Sequence, residues 1–423
     1  MNLLNASRQE LEDLQTGLES RYDEIRQAKL SLDLTRGKPA SEQLDLSNDL
    51  DGVLQGFYLL QDGTDVRNYG GLLGIPEARE LFAGVLGVKP AEIMVAGNSS
   101  LTLMYDYVAH MMRTCWREEA LEAGDKIRFL CPVPGYDRHF TICETFDIEM
   151  INVPMLDTGP DMDRIEALLE RDPLIKGIWC VPKYSNPTGC TYSDETVKRM
   201  AAAPKLAGEN FRIMWDNAYA VHHLSDEGDK LLNIMEECRR EETTDNIVIL
   251  GSTSKVTFAG AGVAFLGTSS TNLTAFEKFL SASLIGFDKV NQLRHVRFLK
   301  DMDNLEAHMN RHKEIIKPKF DVVESMLSDA LDESGIARWT RPNGGYFISL
   351  DTLPGLASEV VKLASDAGVK LTPAGATFPY GVDPEDRNIR IAPTYPSLTE
   401  LKKALDALII CVQLASVRKL LAE

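Results

Sequence analysis

The chain has 423 residues, a hydrophobic content of 44% and a formal net charge of −18. This length and apolar content predict one large domain with one or two smaller units. The acidity argues against a nucleic-acid partner, because binding to phosphate backbones requires a basic surface. No apolar stretch approaches the roughly 18 residues of a membrane span, so the sequence predicts none.

The seven cysteines are scattered, and no two of them form a CxxC pair. An odd number without a pairing pattern predicts reduced thiols in a cytoplasmic protein, and it argues against a disulfide framework or a metal site. The first residues, MNLLNASRQELEDL, are acidic and amphipathic, unlike the apolar core of a signal peptide.

Apolar residues at helical spacing predict a helix over residues 8–29, and Pro76 favours the start of another over residues 76–86. From residue 93 onwards, short apolar strands alternate with helices. The predicted strands are 93–96, 127–131, 148–153, 178–181, 211–215 and 247–250. The predicted helices among them include 101–116, 161–169 and 193–203. This alternation predicts an α/β fold with a mostly parallel sheet covered by helices on both faces.

The pattern changes towards the C-terminus. Residues 273–330 are predicted to be mainly helical, and after them come two strands, 344–350 and 388–392, and two helices, 355–367 and 397–421. We therefore expect a smaller α+β domain. The predicted division is an N-terminal segment, 1–50, that packs with the small domain, a large domain, 51–305, and the small C-terminal domain, 306–423.

Polar residues follow the predicted strands. These insertions lie at 97–100, 134–136, 186–189, 216–219 and 252–255. Ligands of open α/β sheets bind where the strands end and the loops begin, so we expect these insertions to form one site.

Lys255 lies between two short apolar runs, residues 247–250 and 263–266. Burying an ammonium group is costly unless the group is paired or neutralised. A lysine that has lost its proton forms imines with carbonyl compounds. The sequence therefore predicts that Lys255 is a lysine of the Schiff-base type.

Other insertions admit two interpretations each. Residues 97–100, Gly-Asn-Ser-Ser, suit a phosphate at a helix N-terminus or a plain helix cap. Asp216 suits the counter-ion of a protonated ring nitrogen, or a helix cap or salt-bridge partner. Residues 186–189, Asn-Pro-Thr-Gly, also suit a simple turn. Arg390, within an apolar strand, needs a carboxylate partner from the chain or from a ligand.

Together these residues resemble the class I aminotransferases, which are pyridoxal-phosphate enzymes of fold type I. The resemblance covers roughly residues 30–400 and rests on the order NPTG, D-x-x-Y, S-x-S-K and a late arginine. Four sequence segments are most similar to the aspartate aminotransferase subgroup called Ic, which is related to the aminotransferase-like domains of MocR regulators. These segments are LTRGKPA, NYGGLLGIPEAR, WDNAYAVHHL and GATFPYG.

The resemblance implies a role for each matching residue around the cofactor ring. Lys255 would bind pyridoxal 5′-phosphate covalently and move the proton at the substrate Cα. Asp216 would pair with the ring nitrogen. Asn186 and Tyr219 would bind the 3′ oxygen, and Tyr136 would stack on the ring.

The resemblance also implies a phosphate site and a homodimer with shared active sites. The phosphate would be surrounded by Asn98, Ser99, Ser100, Ser252 and Ser254. Tyr69 would reach it from a second subunit. The family usually has an arginine eight residues after the lysine, where this chain has Val263. Either another cation, for which Arg36, Lys183 and Arg138 are candidates, replaces it, or hydroxyls and backbone alone hold the phosphate.

For the substrate, the resemblance implies that Arg390 grips the α-carboxylate with help from the backbone near Gly37. Our hypothesis is that Arg36 serves the distal carboxylate. The expected reaction is transamination between L-aspartate and 2-oxoglutarate by a ping-pong mechanism. The alternatives are another amino donor, a β-lyase or a decarboxylase with the same cofactor, or a non-catalytic cofactor-sensing domain as in MocR regulators. A structural protein with accidental motifs is the remaining possibility.

Overall fold

The computed structural model describes residues 2–423. Its strands, in chain order, are β1 (Leu32–Asp33), β2 (Ile93–Val95), β3 (Arg128–Val133), β4 (Glu149–Leu156), β5 (Gly159–Pro160), β6 (Ile175–Cys180), β7 (Arg212–Asp216), β8 (Ile247–Ser252), β9 (Ala264–Thr268), β10 (Ala337–Trp339), β11 (Ile348–Thr352), β12 (Val369–Lys370) and β13 (Asn388–Ile391). Its α-helices are α1 (Arg8–Gln27), α2 (Ser41–Asp45), α3 (Pro76–Leu86), α4 (Ser100–Met111), α5 (Arg117–Ala123), α6 (Asp137–Thr145), α7 (Met162–Leu169), α8 (Asp194–Ala202), α9 (Ile234–Glu241), α10 (Ser270–Leu280), α11 (Lys289–Leu299), α12 (Met302–Leu331), α13 (Ala357–Asp366) and α14 (Leu398–Ala422).

The central sheet has eight strands in the order β2-β9-β8-β7-β6-β3-β4-β5. Neighbours from β8 to β4 pair in parallel, whereas β9 and β5 run antiparallel to their neighbours. Every residue of β6 and β7 is buried, as expected for strands covered on both faces. The predicted α/β fold with a mostly parallel sheet is confirmed.

A smaller α+β unit surrounds a second core. Its sheet has the antiparallel order β10-β11-β13, and the N-terminal strand β1 pairs in parallel with β12. The helix α1 begins at a capping box in which Ser7 and Glu10 satisfy each other's backbone N–H groups. Its apolar stripe, Leu11, Leu18 and Tyr22, packs into the same core as α14. The N-terminal segment thus joins the C-terminal part, as predicted.

The long helix α12 contributes to both cores. Its first turns place Leu305 and Met309 in a core of the large domain, and from Ile316 onwards its buried residues belong to the core of the small domain. Pro318 lies within this helix. The proposed boundary after residue 305 therefore falls inside a continuous helix, and the division into 1–50, 51–305 and 306–423 stays a proposal, with Met1 outside the described residues.

Most predicted bounds differ from the observed ones by a few residues, and two elements differ in kind. The strand predicted over 344–350 begins only at Ile348, because Gly345 has a φ of +82° and a Cβ on Gly344 would lie 2.2 Å from the Tyr184 ring. The helix predicted over 101–116 changes after Met111 into a π-helical turn, Met112–Trp116, before α5 continues. The sequence carries no periodic signal for that turn.

Three further observations concern residues 2–423. No helix in this range is long and apolar enough to cross a membrane. The same residues contain no group of three or more His, Cys, Asp or Glu side chains arranged to hold a metal ion. All seven cysteines are free thiols.

Candidate active site

A cavity of about 370 Å³ opens at the carboxyl ends of the parallel strands. Because β7 and β8 are adjacent and parallel, with Asp216 opposite Leu250, their polar C-terminal residues meet at one edge of the sheet. The cavity lining includes most of the residues that the sequence predicted, namely Gly37, Ser99, Ser100, Tyr136, Asn186, Asp216, Tyr219, Ser252, Ser254, Lys255 and Arg390.

Three predicted residues do not line this cavity. Asn98 lies next to it, since its carbonyl accepts a hydrogen bond from Ser254 Oγ at 3.3 Å. Tyr69 is 82% exposed on a loop. Arg36 is also exposed, with its Nε 3.9 Å from Asp33 Oδ2. The structure therefore does not bring Arg36 to the site within one chain.

Asp216 ends β7 and is only 3% exposed. Its Oδ2 accepts a hydrogen bond from His139 Nε2 at 3.1 Å, and the His139 ring stacks on Trp179 at 4.3 Å. The other oxygen, Oδ1, is buried and has no partner within the described chain. A buried acceptor without a donor is costly. Asp216 therefore fits a ligand that brings an N–H group, such as a protonated pyridine ring.

Lys255 is held among aromatic rings. Its Nζ lies 5.0 Å from the centre of the Tyr219 ring and 5.8 Å from that of Tyr346. Burial lowers the pKa of Lys255, and the charge of Asp216 partly opposes this shift. A lowered pKa makes the free amine, which is both a nucleophile and a base, more accessible.

Hydroxyl groups surround the N-terminus of α4. Ser99 is the N-cap residue, yet its side chain makes no capping hydrogen bond, so its hydroxyl is available to a ligand. Ser252 Oγ donates to Ser254 Oγ at 3.1 Å on the facing segment. Free N–H groups, a helix dipole and hydroxyls together suit a phosphate group.

Val263 takes no part in this phosphate cradle. It is buried in a core, and its N–H donates to Thr253 Oγ1 at 2.9 Å. Of the three candidate replacement cations, only Arg138 lines the cavity. Lys183 instead donates to the carbonyl of Ala220 at 2.9 Å, and burial lowers its pKa to about 8.

Tyr219 and Asn186 are buried, and Tyr136 is half-buried. Burial raises the pKa of Tyr219 well above its usual value, and burial together with the charge of Asp216 raises that of Tyr136. Both phenols therefore remain hydrogen-bond donors at neutral pH. Asn186 Oδ1 accepts a hydrogen bond from Arg390 Nη1 at 3.4 Å.

Arg390 lies in the middle of β13, opposite Ser349 of β11. Its Nη1 lies 3.1 Å from Asp137 Oδ1, and its Nη2 donates to Thr372 Oγ1 at 3.4 Å. Its Nε is buried without a partner among residues 2–423. A guanidinium group that retains a free donor suits a carboxylate ligand.

Sequence reasoning missed several residues that shape the site. His139 orients Asp216, and Phe347 lies beneath Arg390, with the guanidinium 4.9 Å from the ring centre. Phe347 also explains Gly37, because a Cβ at that position would lie 2.1 Å from the ring. The spacing Tyr136-x-x-His139 places both side chains near one helix start, which was the only available signal for His139.

Comparison with known proteins identifies the family. The model of the family described as aspartate amino-transferase matches residues 6–423. A Mycolicibacterium smegmatis protein provisionally named an aminotransferase is 50% identical over 95% of both chains. An aspartate aminotransferase of Corynebacterium glutamicum is 43% identical over 94% of this chain and 93% of its own.

Solved structures agree with this relationship. A crystal structure of an aspartate transaminase from Corynebacterium glutamicum matches with a TM-score of 0.95 and 41% identity over 99% of both chains. The α-aminoadipate aminotransferase LysN of Thermus thermophilus, crystallised with N-(5′-phosphopyridoxyl)-L-leucine, is only 21% identical but shares the fold with a TM-score of 0.74 over 93% of both chains. The chain therefore belongs to the aspartate aminotransferase family, and it is a pyridoxal-phosphate-dependent aminotransferase of fold type I.

Proposed function

We propose that this enzyme transfers the amino group of L-aspartate to 2-oxoglutarate and gives oxaloacetate and L-glutamate by a ping-pong mechanism. The observation that carries the proposal is the presence of two guanidinium groups, Arg390 and Arg138, in the lining of one cavity. Both substrates are dicarboxylates, and planar guanidinium groups match carboxylates well. The name of the Corynebacterium glutamicum relative supports the same donor.

The two arginines differ in their surroundings. Arg390 is buried and pairs with Asp137, whereas Arg138 is exposed at the start of α6. Within the described chain, no hydrogen bond or ion pair joins Arg138 to another side chain. We assign the substrate α-carboxylate to Arg390 and the distal carboxylate to Arg138. This assignment replaces the hypothesis that Arg36 serves the distal carboxylate.

When bound, pyridoxal phosphate supplies a conjugated ring that accepts the electron pair released at the substrate Cα. Lys255 Nζ would take the proton from the substrate Cα and deliver it to the cofactor carbon that retains the amino nitrogen, a task suited to an amine whose pKa is lowered by burial. Asp216 Oδ1, which is buried without a partner among residues 2–423, would accept the N–H of the ring nitrogen and keep that nitrogen cationic. Asn186 and Tyr219 would hold the ring oxygen, and Tyr136 would cover the ring face.

The phosphate group would be held by the N-terminus of α4 and by hydroxyls. The residues proposed for this site are Asn98, Ser99, Ser100, Ser252 and Ser254. These residues supply only backbone, hydroxyl and amide donors. Such donors suit a phosphate group at a helix N-terminus, where the helix dipole also favours an anion. Arg138 is the remaining cation of the lining that could contribute charge.

We expect Arg138→Ala to lower kcat/KM for aspartate and 2-oxoglutarate about 10- to 100-fold, because a charge-assisted contact to the distal carboxylate is lost. The same variant should leave kcat/KM for alanine and pyruvate nearly unchanged, since these substrates have no distal carboxylate. Steady-state kinetics with both substrate pairs measures the difference.

The Arg36→Ala variant tests the competing assignment. If it shows the selective loss and Arg138→Ala does not, Arg36 carries the distal carboxylate. If Arg138→Ala weakens cofactor binding and slows every donor equally, Arg138 neutralises the phosphate. A panel of amino acids with 2-oxoglutarate, with analysis of all products, distinguishes aspartate from another amino donor and would reveal any β-lyase or decarboxylase side reaction.

We further propose a homodimer in which Tyr69 completes the phosphate site of the partner subunit. The Tyr69 side chain is largely exposed to solvent. Other large apolar side chains, including Phe57, Leu59 and Ile285, are also exposed. The loops of Tyr69 and Ile285 are adjacent, because a Cβ on Gly286 would lie 2.7 Å from the Gly70 carbonyl oxygen. Exposed apolar patches of this kind favour protein interfaces.

We expect inactive Tyr69→Ala and Lys255→Ala chains to regain activity when they are unfolded, mixed and refolded together. A hybrid dimer would contain one site with Lys255 and Tyr69 both intact. Random pairing then restores about a quarter of wild-type activity. A monomer by light scattering, or no recovery in verified hybrid dimers, would contradict shared sites.

A cytoplasmic location also belongs to this proposal. Its support is the free state of all seven cysteines, which is typical of a reducing compartment. Membership of the aspartate aminotransferase family argues against the non-enzymatic alternative, a cofactor-sensing domain without turnover.

A further inference from the structure

The segment Lys255–Thr257, which we call the lysine turn, is surrounded by imidazole rings. Four histidines contact its main-chain or side-chain oxygens, and all four are buried: His222, His295, His308 and His312. Only seven histidines occur in the whole chain. This concentration around one turn suggests a task that a general apolar core would not require.

Two of the rings converge on one oxygen. The carbonyl of Val256 lies 2.7 Å from His308 Nε2 and 3.0 Å from His312 Nε2. A carbonyl oxygen only accepts hydrogen bonds, and it has two lone pairs. Both Nε2 atoms must therefore carry hydrogen and donate to Val256.

The opposite nitrogens of the two rings fix this assignment. Arg311 Nη2 donates to His308 Nδ1 at 2.7 Å, and Gln43 Nε2 donates to His312 Nδ1 at 3.1 Å. The orientation of the Gln43 amide is set because its Oε1 accepts the N–H of Ala40 at 3.1 Å. Each Nδ1 accepts a hydrogen bond and is unprotonated, so both rings are neutral.

The same network reaches the other end of the lysine side chain. Gln43 Nε2 also donates to the Tyr346 hydroxyl at 2.9 Å. Tyr346 stacks on Tyr219 at 6.1 Å, and these two rings are the ones closest to Lys255 Nζ. Gln43 thus connects His312, which donates to the lysine turn, with Tyr346, one of the two aromatic rings next to Lys255 Nζ.

We propose that His308 and His312 are positioning residues for Lys255, and that their paired hydrogen bonds to the Val256 carbonyl fix the direction in which the lysine side chain enters the cavity. Neutral donors suit this place, because a charged donor next to the turn would repel the ammonium form of Lys255. The proposal rests on Lys255 being the reacting lysine of the proposed function.

The experiment compares His312→Leu with His312→Gln in the cofactor-loaded enzyme. We expect the leucine variant to lower kcat about tenfold, with a much smaller change in KM for aspartate, because the carbonyl loses one donor. Glutamine carries an amide N–H near the position of Nε2 and should restore most of the rate. The pH at which the absorbance of the bound cofactor changes should shift in the leucine variant only.

A matched control is His110→Leu. His110 is also a buried histidine, but it lies on α4 among Tyr107, Phe276 and Phe279, away from the lysine turn. We expect this control to retain wild-type kcat and an unchanged absorbance titration. A loss that is equal in the His110 and His312 variants would overturn the proposal in favour of a purely structural role.

A second pair of variants avoids the buried residues. Arg311 is exposed, so Arg311→Leu should fold, yet it removes the donor that keeps His308 Nδ1 unprotonated. We expect a fall in kcat of about threefold that Arg311→Lys reverses. Wild-type kcat and absorbance titration in both Arg311→Leu and His312→Leu would refute the positioning role, whereas failure of the proposed function would appear as inactivity of the unmodified enzyme.

Discussion

We expect Lys255→Ala to lower kcat by at least about 10⁴-fold while the protein remains folded, because one amine would serve as both the covalent anchor and the base. Lys255 Nζ lies over two aromatic rings, and burial lowers its pKa. No other lysine lines the cavity. Single-turnover kinetics with aspartate, together with circular dichroism, measures the effect, and borohydride should no longer attach the cofactor to the chain.

Two comparisons sharpen this expectation. A small primary amine added in solution should restore part of the rate to Lys255→Ala, since it can replace the missing base. Lys183 is the matched control, because it is a lysine whose pKa burial also lowers but that lies outside the lining. Lys183→Met should retain most of the activity. Substantial turnover by Lys255→Ala without added amine would show that another group moves the proton.

We expect the second large effect from Asp216→Asn, with a fall in kcat of about 10²- to 10⁴-fold. This range corresponds to the roughly 3–5 kcal/mol lost when one partner of a buried ion pair is removed. Asparagine keeps the shape of the side chain but removes the charge that holds the ring nitrogen cationic. Kinetics of the half-reaction with aspartate and the absorbance of the bound cofactor report the change.

A cofactor analogue methylated at the ring nitrogen separates the possible causes. Its nitrogen is permanently cationic, so it should restore part of the lost rate to Asp216→Asn. Asp216→Glu keeps the charge and should be less damaging than the asparagine variant. If the Asp216→Asn variant and the unmodified enzyme have equal rates, the unpartnered Oδ1 of Asp216 does not control the ring nitrogen.

The sequence was sufficient to predict the architecture and the side of the sheet where the site lies. Apolar strands alternating with helices predicted the parallel sheet, and the polar residues after each strand predicted the edge at which the cavity opens. Asp216 and Lys255 share that edge because Asp216 ends β7 and Lys255 follows the neighbouring strand β8, although the two residues are 39 positions apart along the chain.

Contacts between distant segments could not be predicted in this way. His139 and Asp216 are 77 positions apart, and the histidines that hold Val256 lie 52 and 56 positions beyond it. No local periodicity encodes such a pair. The sequence could not decide between Arg36 and Arg138, because the position of an arginine along the chain carries no information about the direction in which its side chain points.

The sharing of α12 between the two cores has a mechanical consequence. The small domain follows the large domain through the continuous helix α12 and not through a flexible linker. Any rotation of the small domain relative to the large domain must therefore bend or shift α12. Pro318 lacks an N–H, which removes the helical hydrogen bond to the carbonyl of Glu314 and makes that turn easier to bend than a fully hydrogen-bonded one. This turn lies just beyond Met309, where the helix leaves the first core. A rotation of the small domain would therefore be resisted elastically, and bending would be concentrated at one place in the helix.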